Sequence, residues 1–564
     1  MDNHYHVVLD ALTKASSQNA ELLKIAECQL KSWESETGFY STLLDIACNK
    51  NIDVNIRWLS VLCVKNGVDR YWRKTTHGSI SNEEKEVLRQ KLLTCLNEPV
   101  NQIALQFAVI ISKIARFDFP KEWPDLFPAL LNGTQSADQL HQLRSLLTMH
   151  HVVKSLSSKR LTFDRRMFQQ LTASVFPNIL HMWINYSKLF LQEVQTEHYK
   201  LNCVLESSFL TLKILRKLAI NGFKDCSKEA DAVNFLNLIF QQIGPFLECR
   251  VFLRGKENLL DICEKYLVLL IKVLHDVLEY QPFSFVQFIR PTLECSVTFC
   301  FNKDLQDRLF EKLIVHFLNL IKGILLCQEY KPTKIMEGKK KNIQKNPLTL
   351  EAHKIKMEFF TYPVLTEICQ QLLARYFLLS EDDIASWESS PEEFASDEGG
   401  ESWKFSLRPC TEVLFLSLFH EFRDLLTPLI VEMIKGIQCN SARDFLSILK
   451  KEAVYNAVGL AAFDLYDEVD FDNWFTNVLI PELKVPDTGY YIIRRRVIWL
   501  IGQWVGVKMS PEMRPLLYEI IIQLLNNEEN LVVRLAAANA LKVDILFVIY
   551  VSLIITYNLN LHDV

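Results

Sequence analysis

Glycine and proline are scarce in this chain of 564 residues, at 16 and 18, so the turn-rich linkers that usually separate globular domains have little material. Sustained alternation of apolar and polar residues is almost absent, which argues against a β-sandwich or barrel. The 14 cysteines are scattered and form no CxxC pair; they read as buried thiols in a reducing compartment rather than as a metal site or disulfide framework. Neither sign of charge prevails. Lys plus Arg is 62, Asp plus Glu is 67 and the net charge is −5, which argues against a general nucleic-acid coat. The opening MDNHYHVVLDALTK is charged and amphipathic, unlike a signal peptide, and a cytosolic or nuclear protein is expected. Catalytic patterns are missing as well: there is no GxSxG elbow, HExxH helix, phosphate-cradling glycine loop or paired Cys/His cluster. His150 and His151 lack a further ligand at metal spacing, and the acids between 464 and 472 lack the central glycine of a calcium loop. No enzyme, metal or cofactor is expected.

What the chain has is helical periodicity. In residues 98–116, EPVNQIALQFAVIISKIAR, the residues Ile103, Ala104, Phe107, Ala108, Ile111, Ile114 and Ala115 fall on one side of a wheel drawn at about 100° per residue. Gln102, Gln106, Val109, Lys113 and Arg116 form the opposite stripe. A Pro-rich turn, residues 119–128, then opens another amphipathic segment. The layout of a polar turn, an Arg and a run of small and apolar residues recurs at 51–72 and at 526–542. This spacing fits HEAT-type helix pairs, of about 40–47 residues each, with room for roughly twelve. A chain too long for one compact core needs no domain boundary if each pair packs only on its neighbours. The expected fold is all-α, a right-handed HEAT-repeat superhelix or α-solenoid.

Charge and hydropathy are uneven along this array. A basic stretch over 331–348 carries Lys331, Lys334, Lys339, Lys340, Lys341 and Lys345, and 381–405 is an acidic stretch; both read as loops between helical runs. Helices are expected at 349–380, kinked near Pro363, and again over 406–542. In the last segment, 543–564, the run 545–557 is apolar on all faces and rich in β-branched residues, so the segment reads as a divergent end appended to an array cut within a unit. A membrane anchor is the alternative, although a span needs about 20 apolar residues.

Several motifs, in order, narrow the reading. Ala26-Glu27, Leu30, Trp33 and Gly38-Phe39 are followed by Arg57-Trp58-Leu59, then Lys65-Asn66-Gly67 and Tyr71-Trp72, and then by WPDLFP at 123–128. Further on stand WESSPEEF at 387–394, with Ser390 where Asp is usual, SLRPCTEVL at 406–414 and RRRVIWLIGQWV at 494–505. Together they resemble the importin-β (karyopherin-β) family of nuclear transport receptors, whose members have about twice the repeats expected here; the chain looks like an N-terminal part of one.

The resemblance implies an importin-β N-terminal region at 1–116 and HEAT repeats at 117–330. It implies a receptor that binds protein cargo in the cytoplasm, passes the nuclear pore through weak contacts with Phe-Gly nucleoporins and releases cargo to Ran-GTP, shuttling between cytoplasm and nucleus as a monomer. Neither nucleic acid nor membrane insertion is implied. Ran contacts would fall on inner helices of the first repeats, at Arg57, Gln102, Gln106, Lys113, Arg116, Arg144 and Lys154. Solvated helix faces are the plainer account of these residues, or, for Arg57, a ladder between repeats. The acids Glu381, Asp382, Asp383, Glu392, Glu393, Asp397 and Glu398 would attract basic cargo or basic patches of Ran, or form a solvated linker. A HEAT scaffold without nucleotide-dependent release is the competing reading.

Overall fold

Asn, Asp and Ser caps and a few prolines punctuate the chain into helices. Asn19, Asp53, Ser81 and Asp138 each accept from a backbone N–H of the first turn they precede, satisfying donors that a helix start leaves unpaired. The computed structural model describes residues 2–17, 19–195, 201–332, 346–397, 406–439 and 444–562, all of them helix, turn or irregular backbone. The chain divides into two units, residues 1–284 and 285–564.

The first unit contains α1 (Asp2–Ala15), α2 (Ala20–Ser32), α3 (Phe39–Cys48), α4 (Val54–Tyr71), α5 (Asn82–Thr94), α6 (Asn101–Asp118), α7 (Leu126–Thr134), α8 (Gln139–Ser157), α9 (Thr162–Glu193), α10 (Leu201–Gly222), α11 (Ala230–Phe252) and α12 (Glu257–Tyr280). Neighbours in sequence pair as hairpins, α3 with α4, α7 with α8 and α9 with α10. Every second helix also stacks on the next, α4 on α6, α6 on α8, α8 on α10 and α10 on α12. This is the stacked-pair architecture of HEAT repeats. Small residues set the closest approaches: a Cβ on Gly67 would fall 1.9 Å from the Tyr40 ring carbon Cε1, so α3 and α4 touch where only glycine fits.

The second unit contains α13 (Ile289–Phe301), α14 (Glu311–Leu326), α15 (Pro347–Phe359), α16 (Tyr362–Gln371), α17 (Glu381–Ser389), α18 (Pro391–Asp397), α19 (Leu407–Glu421), α20 (Arg423–Cys439), α21 (Phe445–Leu460), α22 (Phe471–Trp474), α23 (Ile480–Leu483), α24 (Tyr491–Val505), α25 (Arg514–Leu524) and α26 (Leu531–His562). The stacking of alternate helices recurs in α21 on α24 and α24 on α26. Pro363 stands at the start of α16, where a missing N–H is tolerated, and divides the 349–380 run as its position suggests.

Polar ladders cross the repeats. In the first unit the Arg57 guanidinium, 2% exposed, donates through Nε to the Ala47 carbonyl at 2.8 Å and bonds the buried Glu98 carboxylate with its other arm. Glu98 in turn accepts the Val100 N–H that opens α6, at 3.0 Å, and Arg144 from α8 donates to the Glu98 and Pro99 carbonyls at 2.8 and 3.1 Å. Within the second unit Arg494 holds the Val485 and Asp487 carbonyls, both at 3.0 Å, and grips Glu529 at 2.9 and 3.0 Å just ahead of α26. The fully buried Glu452 joins Arg408 and Arg496, each at 2.7 Å.

Three expectations change here. The acidic stretch is not a loop over 381–397: it forms α17 and α18, because Trp387 and Phe394 are anchored in the unit. Their rings lie 5.0 Å apart, the Arg495 guanidinium stands 5.6 and 5.5 Å from them, and Trp387 Nε1 donates to Asn530 Oδ1 at 3.1 Å. The boundary between 542 and 543 is crossed by the unbroken α26, in which Asp544, fully buried, accepts from Arg514 at 3.0 Å and from the Tyr518 hydroxyl at 2.6 Å. No helix among the described residues is long and apolar enough to cross a membrane. Cys48 and Cys95, expected as thiols, are joined in a disulfide between the ends of α3 and α5. Of the basic stretch, Lys331 pairs with Glu421 at 3.4 Å, whereas Lys334, Lys339, Lys340, Lys341 and Lys345 lie outside the described residues.

The ladder predicts a graded response to mutation. Glu98→Ala strands the Arg57 charge in the interior and is expected to cost about 3–5 kcal/mol. Lys91→Ala, which breaks the exposed Lys91–Asp45 pair, should cost less than about 1 kcal/mol. Denaturant unfolding followed by circular dichroism, with hydrogen exchange of α4 and α6 amides to localise the loss, measures both.

Candidate interaction surface

A helix that buries one stripe leaves the other to define a surface. In α6 the buried stripe is the expected one, Ile103, Ala104, Phe107, Ala108, Ile111, Ile114 and Ala115, extended by Ile110 and Ser112. On the other side Gln102 is exposed and Gln106 is half-buried, its Oε1 buried without a hydrogen-bond partner among the described residues. Lys113 reaches across to Asp69 on α4 in an ion pair open to solvent, with side-chain exposures of 32% and 48%. Such a pair contributes little to stability and can exchange partners readily. Arg116 bridges forward, donating to the Ser155 carbonyl at 2.6 Å and to Ser158 Oγ at 2.7 Å, the cation-to-carbonyl contact favoured at a helix C-terminus. Lys154 on α8 is exposed.

Two of the sequence-derived candidates do not belong to this surface. Arg57 and Arg144 point inward and spend their donors on Glu98 and the backbone around it; a wheel drawn for one helix cannot tell a cation facing solvent from one facing the next repeat. Conversely, α10 contributes residues that the sequence reading missed. Lys213 and Lys217 are half-buried, one helix further along the same stack. Burial lowers the pKa of both amines, and the like charges nearby add to this, Lys265 and Lys154 for Lys213 and Arg216 and Lys154 for Lys217. Glu206, its carboxyl raised by burial, and Asp276, tied to Arg216 at 2.6 Å, are the acids among them. The signal was available in the spacing of Glu206, Lys213 and Lys217, which share one face of a helix.

His150 and His151 sit beneath this cluster with ring centroids 5.4 Å apart. Burial drives the His150 pKa down to about 3, helped by His151 and by Lys213, Lys154 and Lys217, so it is neutral and filling space at neutral pH. No group of three potential metal ligands occurs among the described residues.

The acidic set resolves into helix starts. Glu381, Asp382 and Asp383 occupy the first turn of α17, where Asp383 completes a capping box with Ser380. Glu392 and Glu393 occupy the first turn of α18, and such positions favour negative charge. Glu381, Asp382, Glu392 and Glu393 remain exposed; Asp397 closes α18, and Glu398 lies outside the described residues.

Residues 26–98 match the importin-beta N-terminal domain, the segment from α2 to the buried Glu98. Importin-11 of Homo sapiens is 48% identical over 543 residues, 96% of this chain and 55% of that protein; the chain therefore spans about half the length of this curated relative. Among solved structures, Lph2, a bidirectional nuclear transport receptor of S. cerevisiae, superimposes with a TM-score of 0.78 at 26% identity, over 95% of this chain and 53% of that one. Kap121p bound to RanGTP shares the fold at TM-score 0.60 and 15% identity, over 97% and 45% of the two chains, and Kap121p has also been solved with Pho4p and with Nup53p. From the segment that matches the importin-beta N-terminal domain through its stacked helix pairs, the chain is similar to members of the importin-beta family.

Proposed function

We propose that this chain acts in nuclear import: it binds protein cargo in the cytoplasm, crosses the pore through weak contacts with Phe-Gly nucleoporins, and gives up cargo when Ran-GTP binds. The observation that carries this reading is the polar face running over α6, α8 and α10, which begins just after the segment matched by the importin-beta N-terminal domain. The likeness to importin-11 and to Kap121p, itself solved with RanGTP, supports it. The protein shuttles between cytoplasm and nucleus, docking at the nuclear envelope, and works as a monomer without a cofactor. No bond is made or broken. Ran-GTP and cargo each favour a different conformation of the repeat array, and each weakens the other's binding through that difference.

The Ran contact in this reading consists of Gln102, Gln106, Lys113 and Lys154, joined by Lys213 and Lys217. Arg116 positions α8 against α6, and its loss would weaken the fold as well as the contact. The exposed acids of α17 and α18 serve as an attractant for basic partners, raising association rates at low salt.

Two measurements test the proposal. Immobilised protein is expected to retain Ran loaded with GTP and to release Ran loaded with GDP; equal retention of both would favour a nucleotide-independent scaffold. The double variant Lys113→Glu, Lys154→Glu should weaken Ran-GTP by about tenfold or more while leaving helical content and melting temperature unchanged, as exposed ion pairs contribute little to stability. Undiminished affinity in a calorimetric titration removes this stripe from the contact.

A further inference from the structure

The turns that close α4, α6 and α8 enclose a second feature, away from the polar stripe. They border a cleft of about 670 Å³ lined by six cationic side chains and three carboxylates. Each of those carboxylates is already engaged. Asp118 accepts from Trp72 Nε1 at 3.0 Å and from Arg89 at 2.7 Å, Glu122 faces Lys74 at 3.8 Å, and Asp164 accepts from Lys159 at 2.8 Å. The remaining cations have aromatic rings where an acid would be expected. Arg73 lies 5.0 Å from the Phe117 ring centroid, Lys121 lies 5.8 Å from that of Phe163 and Lys85 lies 5.7 Å from that of Trp72.

Lys85 is the telling residue. It is 4% exposed, it lines the cleft, and among the described residues its ammonium makes no hydrogen bond or ion pair. Burial lowers its pKa, with Lys74 and Arg89 adding to the effect and Asp118 and Glu122 opposing it. Beside it, Arg89 also lines the cleft, and its Nε is buried without a hydrogen-bond partner. Arg89 is paired with Asp118 and Glu86 through its other nitrogens, but a buried cationic N–H with no acceptor is costly, and an anion entering the cleft removes that cost through charge-assisted hydrogen bonds. At the mouth, Phe117 and Phe163 are 46% and 59% exposed and offer apolar surface next to the charge.

We propose that this cleft is a docking site for an acidic peptide segment of a partner protein, in which a carboxylate or phosphoryl group reaches Lys85 and Arg89 while a neighbouring apolar side chain packs on Phe117 and Phe163. The excess of cations fixes the sign of the ligand. The exposed rings favour a peptide over a free inorganic anion, and the volume suits a few residues rather than a folded domain. The site uses one face of α5 and the turns that follow α4, α6 and α8, not the α6–α8–α10 stripe, and it does not depend on the transport reading.

The test uses the whole chain and fluorescence anisotropy of labelled ten-residue peptides with a central Phe flanked by Glu, by phosphoserine or by Gln, together with an oligouridylate of similar charge. The Glu or phosphoserine peptide is expected to bind at least about tenfold more tightly than the Gln peptide, and the stronger of the two identifies the anion. Lys85→Met should abolish that preference while leaving the melting temperature unchanged or raised, since an apolar side chain replaces an unpaired buried charge. Lys121→Glu, at the rim, should weaken the same peptide without entering the core. Equal binding of acidic and Gln peptides, retention of the preference in both variants, or tighter binding of oligouridylate would overturn the proposal. A drop in melting temperature for Lys85→Met with peptide affinity intact would instead make Lys85 a packing residue.

Discussion

Arginines that pass from one helix to the turn ahead of another govern how the repeats are stacked. An arginine buried between repeats has five donors to satisfy, and the end of a neighbouring helix has carbonyls without partners. Arg57 meets both needs at once, with the Ala47 carbonyl on one side and Glu98 on the other. Arg494 does the same in the second unit with Val485, Asp487 and Glu529. Apolar stripes alone would let stacked helices slide by a turn at small cost, since leucine and isoleucine pack against many partners. A buried ion pair tolerates no slide, because either partner alone in the interior is strongly unfavourable. The apolar faces supply the driving force for stacking, and the arginines select its register.

That selection also decides which cations are left for other molecules. Arg57, Arg144 and Arg496 are consumed within the fold, whereas Lys113 and Lys154 stay near solvent. Arginine suits the first task because its planar fork bonds two acceptors in fixed directions, and lysine the second because its single charge sits on a flexible, well-hydrated stem. The contacts that set the geometry of the stack are therefore not the cations that remain near solvent.

Much of the fold was legible in the chain itself. The α6 stripe, the divide at Pro363 and the all-helical class follow from periodicity and from the positions of proline. The candidate surface was only half legible. One helix suffices to place Gln102 and Lys113 on a polar face; for Arg57 the ladder between repeats, its alternative reading, is what forms, and Arg144 joins it, through partners 41 to 46 residues away in sequence. Lys213 and Lys217 were missed, since their meaning comes from Lys154 on another helix. The cleft around Lys85 has no linear signature at all; its walls come from α5, the end of α6, the start of α9 and the turns that follow α4, α6 and α8.

Composition misled in two places, and the cause is shared. Charge alone makes the acidic stretch a loop, yet acids in a first turn stabilise the helix they begin, and Trp387 and Phe394, seven residues apart, place both anchors on one side beneath Arg495. Hydropathy alone puts a structural boundary at 543, yet α26 runs through it and carries its one acid, Asp544, into a buried bond with Arg514 and Tyr518. In both segments a few residues tied to a neighbouring helix outweigh the average character of the run. Charge and hydropathy averaged over twenty residues describe what a segment would do alone in water. In a stack of helix pairs no segment is alone, and the side chain that meets the next helix carries more of the structural information than its neighbours combined.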